Sequence, residues 1–236
     1  MNATGPAIGI DAGGTKTAAV LVERDGTVRA REVRDTPAQD ERAIVETMVA
    51  AATAVSTPEA TGVGVAAAGM VDLDGVVRYA PNLAWRDVPL AAFVGAALGL
   101  PGVAENDVNA AAWGEFRHGA GGGCSHMLMV SVGTGIGGGI VLDGALYRGA
   151  NGFASEIGHV VVEPDGPLCG CGNHGCWEQV ASGRALTRGG REAAERHPES
   201  ELAKLAGGDA SAVTGELVTQ AARGGDPVSV GIFAEV

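Results

Sequence analysis

Positive charge is scarce in this sequence. Of its 236 residues 16 are Lys or Arg against 28 Asp or Glu, a net charge of −12, and only Lys16 and Lys204 are lysines. A general nucleic-acid surface needs a basic face to neutralise phosphates, so no nucleic-acid partner is expected. One helix end or glycine loop can still hold a ligand's phosphates locally. Long apolar runs are missing too. The longest nearly apolar stretch, Ala91 to Ala104, is too short to span a bilayer and contains Pro101 and three glycines, so no membrane partner is expected. Met1 to Pro6 has neither the basic nor the apolar part of a secretory signal, which makes the cytoplasm the expected location. Aromatics are only 4%, yet apolar residues reach 46% and charged ones stop at 19%, which excludes intrinsic disorder and a coiled coil. A chain of this length buries roughly 70% of its extended surface, so its core needs no disulfide or metal.

Glycine is what the sequence has in quantity, 39 residues. They follow no three-residue period, which excludes collagen. They gather in runs such as Gly13-Gly14, Gly121 to Gly123 and Gly137 to Gly139, where backbone comes close to something, often a ligand. The first run lies between two apolar stretches, Ala7 to Ile10 and Ala18 to Val22. The pattern reads as strand, glycine turn, strand, Asp25-Gly26 turn, and a third strand over Thr27 to Val33. A helix is predicted over 38–55 from Ala43, Ile44, Met48 and Ala51. A buried strand follows at Val63 to Ala67, a hairpin around Asp72 to Gly75, a helix over Val88 to Leu98, and a short strand at Gly102 to Glu105. Asp107 then opens a helix to about His118.

Gly119 to Ser125 makes a plausible linker. After it the opening pattern returns: strand Met127 to Val132, turn Gly133 to Gly139, strand Ile140 to Leu142, turn Asp143-Gly144. Setting Asp11 against Gly133 gives an internal repeat at a spacing of about 120 residues, which points to two related α/β domains, residues 1–120 and 121–236. Helices are predicted at 183–196, 211–223 and 226–235, with no strand signal after Val162. A second copy built like the first would return to strands, so the chain is expected to be incomplete at its C-terminus.

Four constellations carry chemistry. Asp11, Gly13, Gly14, Thr15 and Lys16 form a turn whose backbone N–H groups, hydroxyl and cation suit a phosphate, with Asp11 placed to hold a metal through water; an ordinary hairpin turn is the alternative. Gly133 to Gly139, including Gly133, Thr134, Gly135 and Gly137, offers a second such cradle. Asn106 and Asp107 stand at a strand-to-helix junction. Asp107 either caps the helix or accepts a proton from a substrate hydroxyl, as phosphoryl transfer requires. Cys169, Cys171 and Cys176 fall within eight residues, with His159 ten residues upstream. Three thiolates and an imidazole suit a tetrahedral structural zinc; a disulfide is the alternative. Glu156 and Glu178 flank this loop and, with the second nitrogen of His159, would hydrogen-bond a polyol well.

Together, Asp11 to Lys16, Glu105-Asn106-Asp107, Gly133 to Gly139, Glu156 to His159 and Cys169 to Glu178 resemble the ROK family of sugar kinases and related repressors. Within it the chain looks like the ATP-dependent glucokinases, a likeness to which Ala80 to Trp85 adds. The resemblance implies a duplicated actin-like (ribonuclease H-like) ATPase fold with the zinc loop at 159–178. It implies that Asp107 deprotonates the 6-hydroxyl of glucose for attack on ATP, with Mg²⁺ bridging the phosphates. Asn82, Asn106, Glu156, His159 and Glu178 would hold the sugar, with Gly69 lining that pocket. Asp11 to Lys16 and Gly133 to Gly139 would hold the phosphates, and His159, Cys169, Cys171 and Cys176 the zinc. Homodimers or homotetramers are implied. Another hexose, such as N-acetylmannosamine or fructose, or a non-catalytic sugar-binding fragment or regulator, are the alternatives. A DNA-binding repressor is not expected, because only Met1 to Pro6 precede the first strand. The sequence departs from the family pattern at Ser155, where glycine is usual and where the side chain is expected to bear on Glu156. A minor departure is Val108, where alanine is usual. Family kinases also continue past this point to help bind adenosine, so a chain ending at Val236 is expected to be a weak kinase or none.

Overall fold

The computed structural model describes residues 5–236, so Met1 to Thr4 of the opening segment lie outside the described residues. By their contacts the residues form two compact units. The first comprises Met1–Met129 and Gly139–Ser155, the second Val130–Gly138 and Glu156–Val236.

The first unit is built on a five-stranded sheet of order β3-β2-β1-β4-β8. Strands β1 (Ala7–Ala12), β2 (Lys16–Val22) and β3 (Val28–Asp35) run antiparallel to their neighbours, whereas β1, β4 (Val63–Ala67) and β8 (Gly102–Asn106) are parallel. Alternation sends Ile8, Ile10 and Ala12 of β1, and Ala19 and Leu21 of β2, into the core. Helix α1 (Glu41–Val55) starts where the Asp40 carboxylate accepts the Ala43 N–H. It buries Ile44, Met48, Ala51, Ala52 and Val55, the stripe that helical periodicity dictates. Helix α2 (Leu90–Leu98) packs on β4 and β8 and stops at Gly99, whose φ of 66° is the left-handed cap that glycine tolerates. A small sheet of β5 (Met70–Val71), β6 (Val77–Tyr79) and β7 (Arg86–Val88) follows β4 in sequence. Helix α3 (Asp107–His118) leaves directly from β8.

A third sheet, β11-β10-β9, consists of β9 (Met127–Val132), β10 (Ile136–Leu142) and β11 (Ala145–Leu146). It repeats the hairpin order of β1 to β3. Strand β10 begins at Ile136 rather than Ile140, so Gly137, Gly138 and Gly139 are strand residues and the turn is confined to Gly133 to Gly135. The physical reason is crowding. A Cβ on Gly139 would lie 2.4 Å from the Ala112 Cβ, so close packing and not turn geometry calls for this glycine.

The second unit is otherwise helical: α4 (Trp177–Val180), α5 (Gly183–Arg196), α6 (Glu201–Leu205), α7 (Gly215–Arg223) and α8 (Pro227–Glu235). Ser182, Ser200, Thr214 and Asp226 cap the last four, each side chain accepting a first-turn N–H. Ala193, Leu202, Val213, Val218 and Ile232 form its core. Strand β7 and helices α4 and α6 carry too few residues for a periodic signal. Helix α7 starts at Gly215 rather than 211 because Ala210–Ala212 is a 3-10 turn capped by Asp209.

Candidate active site and metal centre

In the first unit the parallel pairing of β4 with β8 sets Ala67 beside Asn106, so the chain segments leaving both strands lie together. Asn106, not Asp107, caps α3: its Oδ1 accepts the N–H groups of Val108 and Asn109, both at 3.0 Å. Its Nδ2 donates to the Gly69 carbonyl at 3.2 Å and to Asp107 Oδ1 at 3.0 Å. Gly69 accommodates this because a Cβ there would lie 2.5 Å from the Tyr79 carbonyl oxygen. Both protein hydrogen bonds to Asp107 fall on Oδ1, the second from the Val108 N–H at 3.0 Å. Burial pushes the Asp107 carboxyl above the usual carboxylate range, and the nearby Asp11 carboxylate adds to the rise against the lowering effect of those hydrogen bonds. Burial raises Asp11 as well, although its side chain keeps some exposed surface. Asp11 sits inside β1, and Gly13 and Gly14 form the turn proper, the Gly13 N–H donating to the Lys16 carbonyl at 3.1 Å. Asn82 is drawn against this turn, with its Cβ 3.2 Å from where a Gly14 side chain would begin. Thr15 is exposed, and Lys16 is ion-paired with Asp35 at the surface.

In the second unit the Gly133–Gly135 turn is tied to the start of α5. The Gly183 N–H donates to the Gly133 carbonyl at 2.8 Å and the Arg184 N–H to the Thr134 carbonyl at 3.2 Å. A cavity of ≈ 1020 Å³ opens here, walled by Gly133, Thr134, Arg184, Arg188, Gly215 and Arg223, among others. Its size suits a cofactor-sized ligand, and α5 presents the positive end of its dipole there. Sequence reasoning missed the helical wall, because Arg184 and Arg188 (i, i+4) read simply as the polar face of an amphipathic helix.

The four ligand atoms of His159, Cys169, Cys171 and Cys176 lie within 4.8 Å of one another. His159 Nδ1 is 3.4 Å from Cys169 Sγ, and Cys171 Sγ is 3.5 Å from Cys176 Sγ. Zinc–sulfur bonds of about 2.3 Å in a tetrahedron imply sulfur–sulfur edges of about 3.8 Å, close to this spacing. A disulfide needs about 2.05 Å, and all four cysteines are free thiols. Burial pushes Cys176 up to about 12 and also raises Cys169, so ionising these thiols calls for a bound cation. Glycines shape the loop: a Cβ on Gly175 would lie 1.4 Å from the Glu163 carbonyl oxygen. The loop runs into α4, where Glu178 Oε1 accepts from Gln179 Nε2 at 3.3 Å and lies 3.6 Å from Cys169 Sγ. Glu178 Oε2 would be 2.5 Å from a Cβ on Gly135, so the carboxylate touches the glycine turn. Glu156 is exposed at the start of the 3-10 turn Ile157–His159.

A sequence profile described as the ROK family matches residues 7–225. The glucokinase of Streptomyces coelicolor is 44% identical over 236 residues, covering 98% of this chain and 74% of that protein. The glucokinase of Thermotoga maritima is 41% identical over 226 residues, 93% of this chain and 70% of that one. The crystal structure of a ROK family glucokinase from Streptomyces griseus, in complex with glucose and AMPPNP, matches with a TM-score of 0.85 at 45% identity, covering 98% of this chain and 75% of that one. The architecture is accordingly the actin-like ATPase fold implied by the motifs. Among the described residues, no helix is long and apolar enough to cross a membrane.

Ser155 has φ 74°, in the left-handed region where a side chain is strained, and its buried Oγ makes no hydrogen bond. It thus takes a backbone conformation that suits glycine while adding an unsatisfied hydroxyl. Relief of both effects outweighs the entropy cost of glycine, so Ser155→Gly is expected to stabilise the protein by about 1 kcal/mol. A denaturant titration that gave a lower midpoint for Ser155→Gly would show that the hydroxyl contributes a contact instead.

Proposed function

We propose, from the premise that the chain belongs to the ROK family, that it is a cytoplasmic glucokinase transferring the γ-phosphoryl group of ATP to the 6-hydroxyl of glucose. The observation that most supports this is the half-buried Asp107 carboxylate, with a raised pKa and one oxygen turned to fixed donors. Asp107 Oδ2 takes the proton of the 6-hydroxyl while the sugar oxygen bonds to the γ-phosphorus and the bond to the ADP oxygen breaks. A base whose pKa is raised by burial accepts that proton more readily than an ordinary aspartate. Asn106 orients Asp107 and the sugar. Asn82 and Gly69 line the sugar pocket, and Glu156, Glu178 and the free nitrogen of His159 accept or donate hydrogen bonds to the remaining hydroxyls.

Phosphates of ATP fall to the Asp11–Lys16 turn and to Gly133, Thr134 and Gly135 with the start of α5, and the ≈ 1020 Å³ cavity has room for the rest of the nucleotide. Gly137 is a residue of β10 and lies outside this turn. Mg²⁺, with Asp11 its candidate holder through water, would supply neutralisation of phosphate charge. His159 through Nδ1, Cys169, Cys171 and Cys176 would hold a zinc ion, which supplies structural clamping of the loop that carries Glu178. Self-association as a homodimer or homotetramer belongs to the same reading.

ADP release measured over a panel of glucose, N-acetylmannosamine and fructose should be fastest with glucose; no turnover of glucose would sink the assignment. Asp107→Asn should lower kcat by about 10²- to 10⁴-fold while sugar affinity is largely kept. Because the base must be ionised, kcat/KM of the unaltered protein should fall as pH drops through an apparent pKa above the ordinary 3.8. Metal analysis should find about one zinc per chain. Cys171→Ser, at an exposed ligand position, should lose that zinc and weaken glucose binding; full glucose affinity without metal would contradict the clamping role.

A further inference from the structure

Arg148, in the segment after β11, lays its guanidinium on Glu105 at the end of β8, with Nε and Nη2 both reaching Oε2. The pair is partly withdrawn from water: the Glu105 side chain is 12% exposed and that of Arg148 35%. Charges in such a place are costly to desolvate and are retained where their geometry is used. Glu105 uses its second oxygen for α3. Oε1 accepts the Asn106 backbone N–H at 3.0 Å and the Nδ2 of buried Asn109 at 3.2 Å. One carboxylate therefore fixes the backbone of the residue that caps α3 and a side chain one helical turn further on. Asn106 in turn holds Asp107 Oδ1. The chain of contacts runs Arg148, Glu105, Asn106, Asp107, and lies wholly within the first unit.

We infer that Arg148 and Glu105 are positioning residues for phosphoryl transfer, holding the Asn106 cap so that the Asp107 carboxylate keeps its aim at the substrate hydroxyl. The inference rests on the proposed role of Asp107 as base. Arg148 engages Glu105 through Nε and Nη2, and this contact is what the positioning role uses. It also neutralises a carboxylate that would otherwise join Asp11 and Asp107 as a third negative group. Of the strands packed on α3, β4 carries no charged residue and β8 carries only Glu105, while the Asp11 carboxylate of β1 is near enough to raise Asp107.

The test compares Arg148→Met, Arg148→Lys and Glu105→Gln with the unaltered full chain, reading kcat, KM for both substrates, the pH profile and AMPPNP binding. Arg148→Met should lower kcat by about 10- to 100-fold, as a misaimed catalytic group does, with KM for ATP within about twofold. Its acid limb should move to higher pH, because Glu105 loses its counter-charge. Glu105→Gln, nearly isosteric and so a safeguard should Arg148→Met fold poorly, should move the limb to lower pH, because a cation is left unopposed. Arg148→Lys keeps the charge without the fork and should recover part of the loss. Turnover within about twofold of the unaltered protein in Arg148→Met or Glu105→Gln would overturn the inference alone. So would limbs that move in the same direction, or activity and AMPPNP binding lost together. A protein that phosphorylates no hexose would overturn both the inference and the reading beneath it.

Discussion

The side-chain amide of Asn106 makes four hydrogen bonds, and the candidate site of the first unit is organised around them. Its oxygen receives two first-turn N–H groups at the start of α3, that of Val108 shared with Asp107 Oδ1. Its nitrogen ties Asp107 to the Gly69 carbonyl, so the base and the segment after β4 are held by one planar group. An aspartate here could cap but not donate, and a serine has too few donors; an amide supplies both functions. The parallel pairing of β4 and β8 makes this possible, because it brings the carboxyl ends of both strands together, where open α/β sheets place their ligands.

A different device governs the second unit, namely the absence of side chains at points of contact. Gly135 leaves room for the Glu178 carboxylate, Gly158 for the Ile136 carbonyl, and Gly175 for the Glu163 carbonyl. The thiol and imidazole loop therefore closes on itself, delivers Glu178 against the 133–135 turn, and continues into α5. Ser182 links the two stretches, accepting the Arg184 N–H as the α5 cap while its hydroxyl donates to the Glu178 carbonyl at 2.6 Å. Metal, polyol and phosphate chemistry, as proposed, thus share one short run of backbone from Cys169 to Arg184.

Much of this was legible from residues alone. Strand β4, helices α3 and α5, and the hairpins at Gly26, Gly75 and Gly144 carry local signals: alternation, a 3.6-residue stripe, or a glycine at positive φ. Cys169, Cys171, Cys176 and His159 were legible because metal-ligand spacing is short in sequence. Arg148 was not, since its partner is forty-three positions away and an arginine in a loop looks solvated. Strand β10 was begun too late, because a glycine needed for packing on Ala112 is indistinguishable by type from one needed in a turn. The polar face of α5 gave no hint that a cavity lies against it.

The amino-acid sequence by itself determined the element types, the repeat of the strand–turn–strand unit, the thiol-rich loop and the identity of the acid at the head of α3. Those properties depend on neighbours within about two helical turns or on composition, and local physics suffices for them. Tertiary structure alone decided that Asn106 and not Asp107 would cap α3, that Glu105 would be joined to Arg148, and that Ser155 would be forced into a conformation made for glycine. It also decided that burial beside Asp11 would raise the Asp107 pKa. Each of these depends on desolvation and on distances between segments far apart in the chain, and neither exists until the sheets and helices have packed.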